Sequence, residues 1–327
     1  VNADNTTFSV TVPAAAVGSL TDGNATASVT GTDNAGNSFT ANATRAYTVD
    51  TTASAAISIN TIAGDDIINA TESGNDLVIS GTVGGDAASG DTVTVNIGGT
   101  NYTTTVNADN TTFSVTIPAA AVGSLTDGNA TASVTGTDNA GNSFTANATR
   151  AYTVDTTASA TISINTIAGD DIINATESGN DLVISGTVGG DAASGDTVTV
   201  TIGGTNYTTT VNADNTTFSV TVPAAAVGSL TDGNATASVT GTDNAGNSFT
   251  ANATRAYTVD TTASATISIN TIAGDDIINA TESGNDLVIS GTVGGDAASG
   301  DTVTVTIGGT NYTTTVNADN TTFSVTV

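Results

Sequence analysis

The sequence predicts an all-β chain, a row of β-sandwich domains arranged end to end and repeated almost without change. Three observations predict it. The string VNADNTTFSV begins at Val1, Val106, Val211 and Val316, so the chain repeats every 105 residues. Short runs of Val, Ile, Thr and Phe alternate with small polar residues, the period-2 pattern of strands with one buried face. Clusters of Gly, Asn and Asp break these runs at intervals of about 8–12 residues. The period of 105 exceeds a solenoid unit of about 20–50 residues and suits a domain with its own core.

Within residues 51–155, strands are expected near 55–61, 76–83, 91–98, 100–106, 111–117, 130–137 and 143–154, with a short pairing near 66–69. Val93, Val95 and Ile97 share one face against Thr92, Thr94 and Asn96. Phe113, Val115 and Ile117 do the same against Thr112, Ser114 and Thr116, which puts one set in the core and the other in water. The GGTN at 98–101 fits a tight hairpin, since glycine supplies positive φ. Pro118 closes a strand before AAAVGSL, a segment suited to one helical turn. Seven or more such strands predict an immunoglobulin-like Greek-key sandwich.

The VDTTAS segments at 49–54, 154–159 and 259–264 each follow one strand-like run and precede another, and they mark the domain boundary. Short and without glycine, they read as semi-rigid hinges. On that phase 51–155 and 156–260 are complete repeats, 1–50 is the C-terminal part of one, and 261–327 is the N-terminal part of another. The chain opens and closes on the same twelve residues. A window on a longer polypeptide is the favoured expectation, and head-to-tail completion of a sandwich between two chains is the alternative.

Composition narrows the function. There are 31 acidic residues against 3 Arg and no Lys, a net charge of -28. Nothing neutralises phosphates, so nucleic acid is excluded, and an anionic membrane would repel the chain. No apolar stretch is long enough to cross a bilayer. Without Cys no disulfide forms. Without His or Cys the usual nucleophile–base pairs and zinc ligands are missing. Asp65, Asp66 and Glu72 recur as Asp170, Asp171, Glu177 and as Asp275, Asp276, Glu282. Three copies of one active site argue against catalysis, and no enzyme is expected. Each complete repeat has only four aromatics, such as Tyr102, Phe113, Phe144 and Tyr152. Such a light core calls for an external staple, and dense carboxylates without Lys point to a hard divalent cation.

Four motifs recur in fixed order: GTDNAGN at 31–37, TVDTTA at 48–53, GDDIINATESG at 64–74 and ISGTVGGDAASGDTVTV at 79–95. In these the chain resembles the bacterial immunoglobulin-like tandem repeats of giant secreted biofilm and repeats-in-toxin adhesins. The resemblance implies β-sandwiches with calcium at the domain junctions, projecting a distal binding domain from the cell surface. One departure is Ser54 after DTTA, where the family linker often has proline. The glycine-rich GGxGxD calcium nonapeptide is absent, so neither the secretion end nor the binding end is expected here.

Calcium takes about six to eight oxygens from carboxylates, amides and carbonyls. DDIINATE supplies Asp65, Asp66, Asn69 and Glu72, repeated as Asp170, Asp171, Asn174, Glu177 and as Asp275, Asp276, Asn279, Glu282. The TDNAGN loops add Asp33, with Asn34 and Asn37 beside it, and likewise Asp138 and Asp243, and the linkers add Asp50, Asp155 and Asp260. Asp33 and Asp50 of one domain are expected to meet Asp65, Asp66 or Glu72 of the next. The plainer reading is that Asp and Asn cap turns, favoured for Asp22, Asp86, Asp91 and the turn at Asp4. Each complete repeat also carries five N-x-T sequons, as at Asn69, Asn101, Asn110, Asn129 and Asn147; the abundance of Asn and Thr accounts for them.

The function expected is a calcium-stiffened spacer in a secreted, cell-surface adhesin serving adhesion and biofilm formation. Its partners are neighbouring repeats of the same chain and other copies in a fibre or matrix. The alternatives are a repeated weak calcium-dependent carbohydrate- or surface-binding module, or a subunit of a self-assembling surface filament.

Overall fold

A computed structural model describes residues 1–327. They divide into two compact units, Val1–Thr157 with Asn244–Asn247, and Ala158–Asp243 with Ser248–Val327. Residues 51–155 hold eight strands and two helical turns. Strand β1 is Ala55–Ile59 and β2 Ile67–Ile68. A helical turn, α1, covers Ala70–Ser73. Then come β3 (Leu77–Gly85), β4 (Thr92–Ile97), β5 (Thr100–Thr105) and β6 (Thr112–Ile117). Helical turn α2 (Ala119–Val122) precedes β7 (Gly128–Thr137) and β8 (Ser143–Val154).

These strands form two sheets, ordered β1-β3-β6 and β2-β8-β7-β4-β5. All pairings are antiparallel except β2 with β8, where Thr153 lies beside Ile67 and Val154 beside Ile68. The connections β3–β4 and β6–β7 cross between sheets, as a Greek key requires. Between the sheets lie Ile59, Ile62, Ile68, Ile79, Val93, Val95, Ile97, Phe113, Ile117, Val134, Phe144 and Tyr152, all buried. The second unit holds an equivalent core from Ile164 to Tyr257.

Two glycines make room for the aromatic residues. Gly81 on β3 pairs with Phe113 on β6, and Gly136 on β7 pairs with Phe144 on β8. Each ring lies over the backbone of its partner glycine, where a Cβ would collide with it. Gly98 and Gly99 have φ of 56° and 76°, the double left-handed turn that matches the twist of a two-residue hairpin.

Both sheets are needed to cover the core. Phe8 is 66% exposed, while its counterparts Phe113 and Phe218 are each 1% exposed. Ile269 is 57% exposed where Ile59 and Ile164 are 7% exposed. Phe8 lacks the equivalents of β1 and β3 beside it, and Ile269 lacks the equivalents of β7 and β8 facing it.

The turn before β6 rests on one carboxylate. Asp109 Oδ1 accepts from the N–H of Thr111 and of Thr112, each at 2.9 Å, and Thr112 Oγ1 donates to Oδ2 at 2.5 Å. The Thr112 hydroxyl, then the two amides, hold this carboxyl below its usual range. The equivalent Asp4 is lowered to about 2. A depressed carboxyl pKa stabilises the fold fully above the unfolded value of about 4 and loses that effect as pH falls through the folded value. The stability gap between wild type and Asp109→Ala is therefore expected to be constant above about pH 5 and to shrink below about pH 4. Urea midpoints across pH measure it, and a gap independent of pH down to about 2 would overturn the assignment.

Candidate metal centre

The direction of β8 decides where the acidic loops fall. Because β7 and β8 form a hairpin, the turn 138–142 sits at the end of the sandwich where the chain enters. Because β2 pairs parallel with the last residues of β8, the segment 65–72 sits where the chain leaves.

At the entry end, one amide gathers the oxygens. Asn142 Nδ2 donates to Asp138 Oδ2 at 2.8 Å and to the Asp50 carbonyl at 3.1 Å, with Asp50 Oδ1 at 3.5 Å. Asp138 Oδ1 accepts from the N–H of Ala140 and of Asn142 at 2.9 and 2.8 Å. The Asn142 side chain is the main cause that lowers the Asp138 pKa. Two carboxylates and a main-chain carbonyl thus surround a single nitrogen. These are oxygens of the kind calcium takes, and Asn142 carries a further amide oxygen.

At the exit end, Asp155 donates its N–H to the Ile68 carbonyl at 3.1 Å. Asn247, the counterpart of Asn142, belongs by its contacts to this first unit. Its Nδ2 donates to the Asp155 carbonyl at 2.8 Å, and its Oδ1 accepts from the N–H of Ala70 at 2.7 Å. It is 6% exposed, a buried amide bonded on both sides.

The DDIINATE carboxylates are already engaged. Asp65 accepts from the Ile67 N–H at 2.9 Å. Asp66 is gripped by Arg150 through two bonds of 2.6 Å. Asn69 caps α1 through the N–H groups of Thr71 and Glu72, and Glu72 returns a bond to the Asn69 N–H at 3.0 Å, a capping box. In the second unit Asp170 accepts from Ile172, Asp171 pairs with Arg255, and Asn174 and Glu177 repeat the box. Asp275, Asn279 and Glu282 make the same local bonds, Asp276 accepts from the Ile272 N–H, and Asp260 caps Thr262. Asp243 occupies in its repeat the place of Asp138. No group of three or more carboxylates lies close enough to share an ion.

The expected pairing of loops is therefore corrected. Asp33 and Asp50 do not act together. Asp33 is in the turn between two ten-residue strands, Gly23–Thr32 and Ser38–Tyr47, and a strand of that length places it about 33 Å from the end that leads to Asp50. Its carboxylate closes its own turn through Ala35 and Asn37. Asp50 instead meets Asp138 of the sandwich it leads into. The segment 65–72 lies beside Asp155, at the far end of that sandwich from Asp50. The asparagine offered with Asp33, Asn37, is the one whose counterparts Asn142 and Asn247 form the bridges; sequence reading missed the Arg150–Asp66 pair. The signal for the pair was an arginine in register with inward-facing Ala146, Ala148 and Tyr152.

No protein-family profile and no curated protein matches the chain. Solved structures do. One, from work on the host cell surface retention of a 1.5-MDa bacterial ice-binding adhesin, is 42% identical with a TM-score of 0.71, covering 84% of this chain and 87% of the other. A second, a Ca2+-stabilized adhesin that helps an Antarctic bacterium reach out and bind ice, is 43% identical with a TM-score of 0.58, covering 93% and 73%. A bacterial immunoglobulin-like domain from the M. primoryensis ice-binding adhesin is 42% identical, with a TM-score of 0.29, and covers 32% of this chain and 100% of its own. With sandwich repeats and identity above 40% over most of the chain, this chain belongs to the bacterial immunoglobulin-like tandem repeats of large repeats-in-toxin adhesins.

Proposed function

We propose that the chain is a spacer segment of a secreted, cell-surface adhesin, built of repeats bounded at 50/51, 155/156 and 260/261 and stiffened by calcium at the junctions. One observation carries this reading. The chain enters each complete sandwich at one end and leaves at the other, and successive sandwiches are nearly identical, so copy number alone sets reach. Asp50, Asp138 and Asn142 are the residues that would hold the ion at the first junction; Asp155 and Asn247 are their counterparts at the second. Bound calcium would supply charge neutralisation and a fixed linker geometry. No catalytic role is assigned. Small-angle scattering tests the spacer: the maximum dimension is expected to be larger in millimolar calcium than in chelator. A folded-back particle in both would overturn it.

A second reading is favoured by one surface. On the outer face of the five-stranded sheet, register sets Thr145, Thr135, Thr92 and Thr105 side by side, then Asn147, Ser133, Thr94 and Thr103, then Thr149, Thr131, Asn96 and Asn101. These rows are uncharged in a chain of net charge -28, and neighbouring strands lie about 4.8 Å apart. Such a grid suits a polymer whose own hydroxyls repeat, such as a polysaccharide, bound weakly at each repeat and strongly by many. Retention on insoluble polysaccharide that is lost in Thr135→Lys with Thr240→Lys would support it, and no retention of the wild-type chain would remove it.

A further inference from the structure

Each complete repeat has a single cationic side chain, Arg150 in one and Arg255 in the other, and turns it inward. Arg150 lies on β8, the strand by which the chain leaves. Its Nε and Nη2 fork onto the two oxygens of Asp66 at 2.6 Å each. Nη1 donates to the carbonyl of Ile59 at 3.3 Å, and Nη2 also to Thr61 Oγ1 at 3.1 Å. Ile59 is the last residue of β1, the strand by which the chain enters. One side chain therefore bonds the entry strand and the exit strand, which belong to different sheets.

Its surroundings are arranged for the same purpose. Asp66 stands at φ 70° and Ala63 at φ 55°, a left-handed conformation that non-glycine residues adopt only at a cost. The main chain adds a parallel clasp, with the Thr153 N–H on the Asp66 carbonyl at 2.9 Å and the Asp155 N–H on that of Ile68 at 3.1 Å. The second repeat repeats the fork with Arg255, Asp171, Ile164 and Thr166 at the same distances.

Tension along a chain of such domains pulls β1 toward its N-terminal end and β8 toward its C-terminal end. Because β2 and β8 run parallel, that pull shears their bonds together instead of opening them one at a time. We propose that Arg150 with Asp66, and Arg255 with Asp171, is a mechanical latch that ties the strand where force enters a repeat to the strand where it leaves. This deepens the spacer reading and rests on it, since a spacer in an adhesin works under load. A partly exposed ion pair contributes little to equilibrium stability. Lifetime under force is governed by the unfolding rate, which responds to contacts broken on the way to the transition state. The latch therefore acts on lifetime more than on melting temperature.

The experiment pulls the full chain by its ends at constant force. The double variant Arg150→Gln with Arg255→Gln is compared with wild type and with Val93→Ala plus Val198→Ala, buried core changes toward the opposite end of the sandwich, at conditions where both variants melt equally below wild type. Folded repeats lacking the fork are expected to survive about tenfold less long under load, and clearly less long than those of the core variant. Equal lifetimes in the two variants would overturn the latch. If the glutamine variant does not fold, Arg150→Lys with Arg255→Lys keeps the charge and loses the fork. It too is expected to shorten lifetime beyond its loss of melting temperature, and a wild-type lifetime would overturn the proposal. Equal lifetimes leave the scattering result standing, and a folded-back particle removes the load the latch would bear without altering the lifetimes measured, so the two failures are distinguishable.

Discussion

Gly81→Ala is expected to bring the first complete repeat to the edge of unfolding. A Cβ at Gly81 would run into the main-chain carbonyl of Ser58 on β1 and lie 2.5 and 2.7 Å from ring atoms of Phe113. A ring can tilt, but a carbonyl in a β-ladder cannot move without taking its strand. Overpacking a core costs about 1–3 kcal/mol and more where backbone must shift; here β1 would leave β3, so about 3 kcal/mol or more is expected. Domains of this size have only about 5–15 kcal/mol in total. Gly84, three residues along the same strand, has nothing within 4 Å of its would-be Cβ, so Gly84→Ala should stay within about 0.5 kcal/mol. Urea unfolding reads both, and the second repeat, with Gly186 intact, serves as the reference within the same molecule. Equal midpoints for the two variants would refute the packing argument.

The same contrast shows what a sequence discloses. Strands β4 and β6 are legible because Val93, Val95 and Ile97, and Phe113 and Ile117, alternate with Thr and Ser; alternation is local, and burial follows it. The turn at 98–99 and the helical turn after Pro118 are legible for the same reason. Gly81 and Gly84 look alike in the sequence, because what separates them is a neighbour 23 residues back on another strand. The loops 33–37 and 65–72 were expected to meet across a junction because both lie one strand from a linker. Distance along the chain does not give polarity. Only the hairpin of β7 with β8 and the parallel pairing of β2 with β8 fix which loop is at which end. Asp66 looks like a calcium ligand by composition; the one cation of the repeat takes it, and that contact spans 84 residues.

Removing calcium is expected to lower the melting temperature by about 10–20 °C. A ligand that binds only the folded state stabilises it by about 2.7 kcal/mol at 100 times its Kd. For a domain near 100 residues each kcal/mol shifts the midpoint by about 4–8 °C. Extracellular modules bind calcium at about 10⁻⁴–10⁻³ M, so a few tens of millimolar supplies that excess. The junction residues give the effect its expected form. In the structure the Asn142 amide nitrogen stands between Asp138 and Asp50, and it holds the carboxylates without neutralising them. A cation there would remove a like-charge repulsion that an amide leaves in place. The net charge of -28 also means that any salt relieves self-repulsion to some extent. Three comparisons separate the two causes. Sodium chloride at matched ionic strength should give only a small part of the shift. Magnesium should give less than calcium, because it demands tighter octahedral geometry and parts with water reluctantly. Asp50→Asn with Asp138→Asn should remove the calcium-specific part at the first junction, while lowering melting in chelator slightly, since the hydrogen bonds that hold the Asp138 carboxyl below its usual range are weakened with its charge. Melting curves that coincide in calcium and in chelator would refute the junction sites. A full calcium shift retained by the double variant would place calcium elsewhere on the repeat.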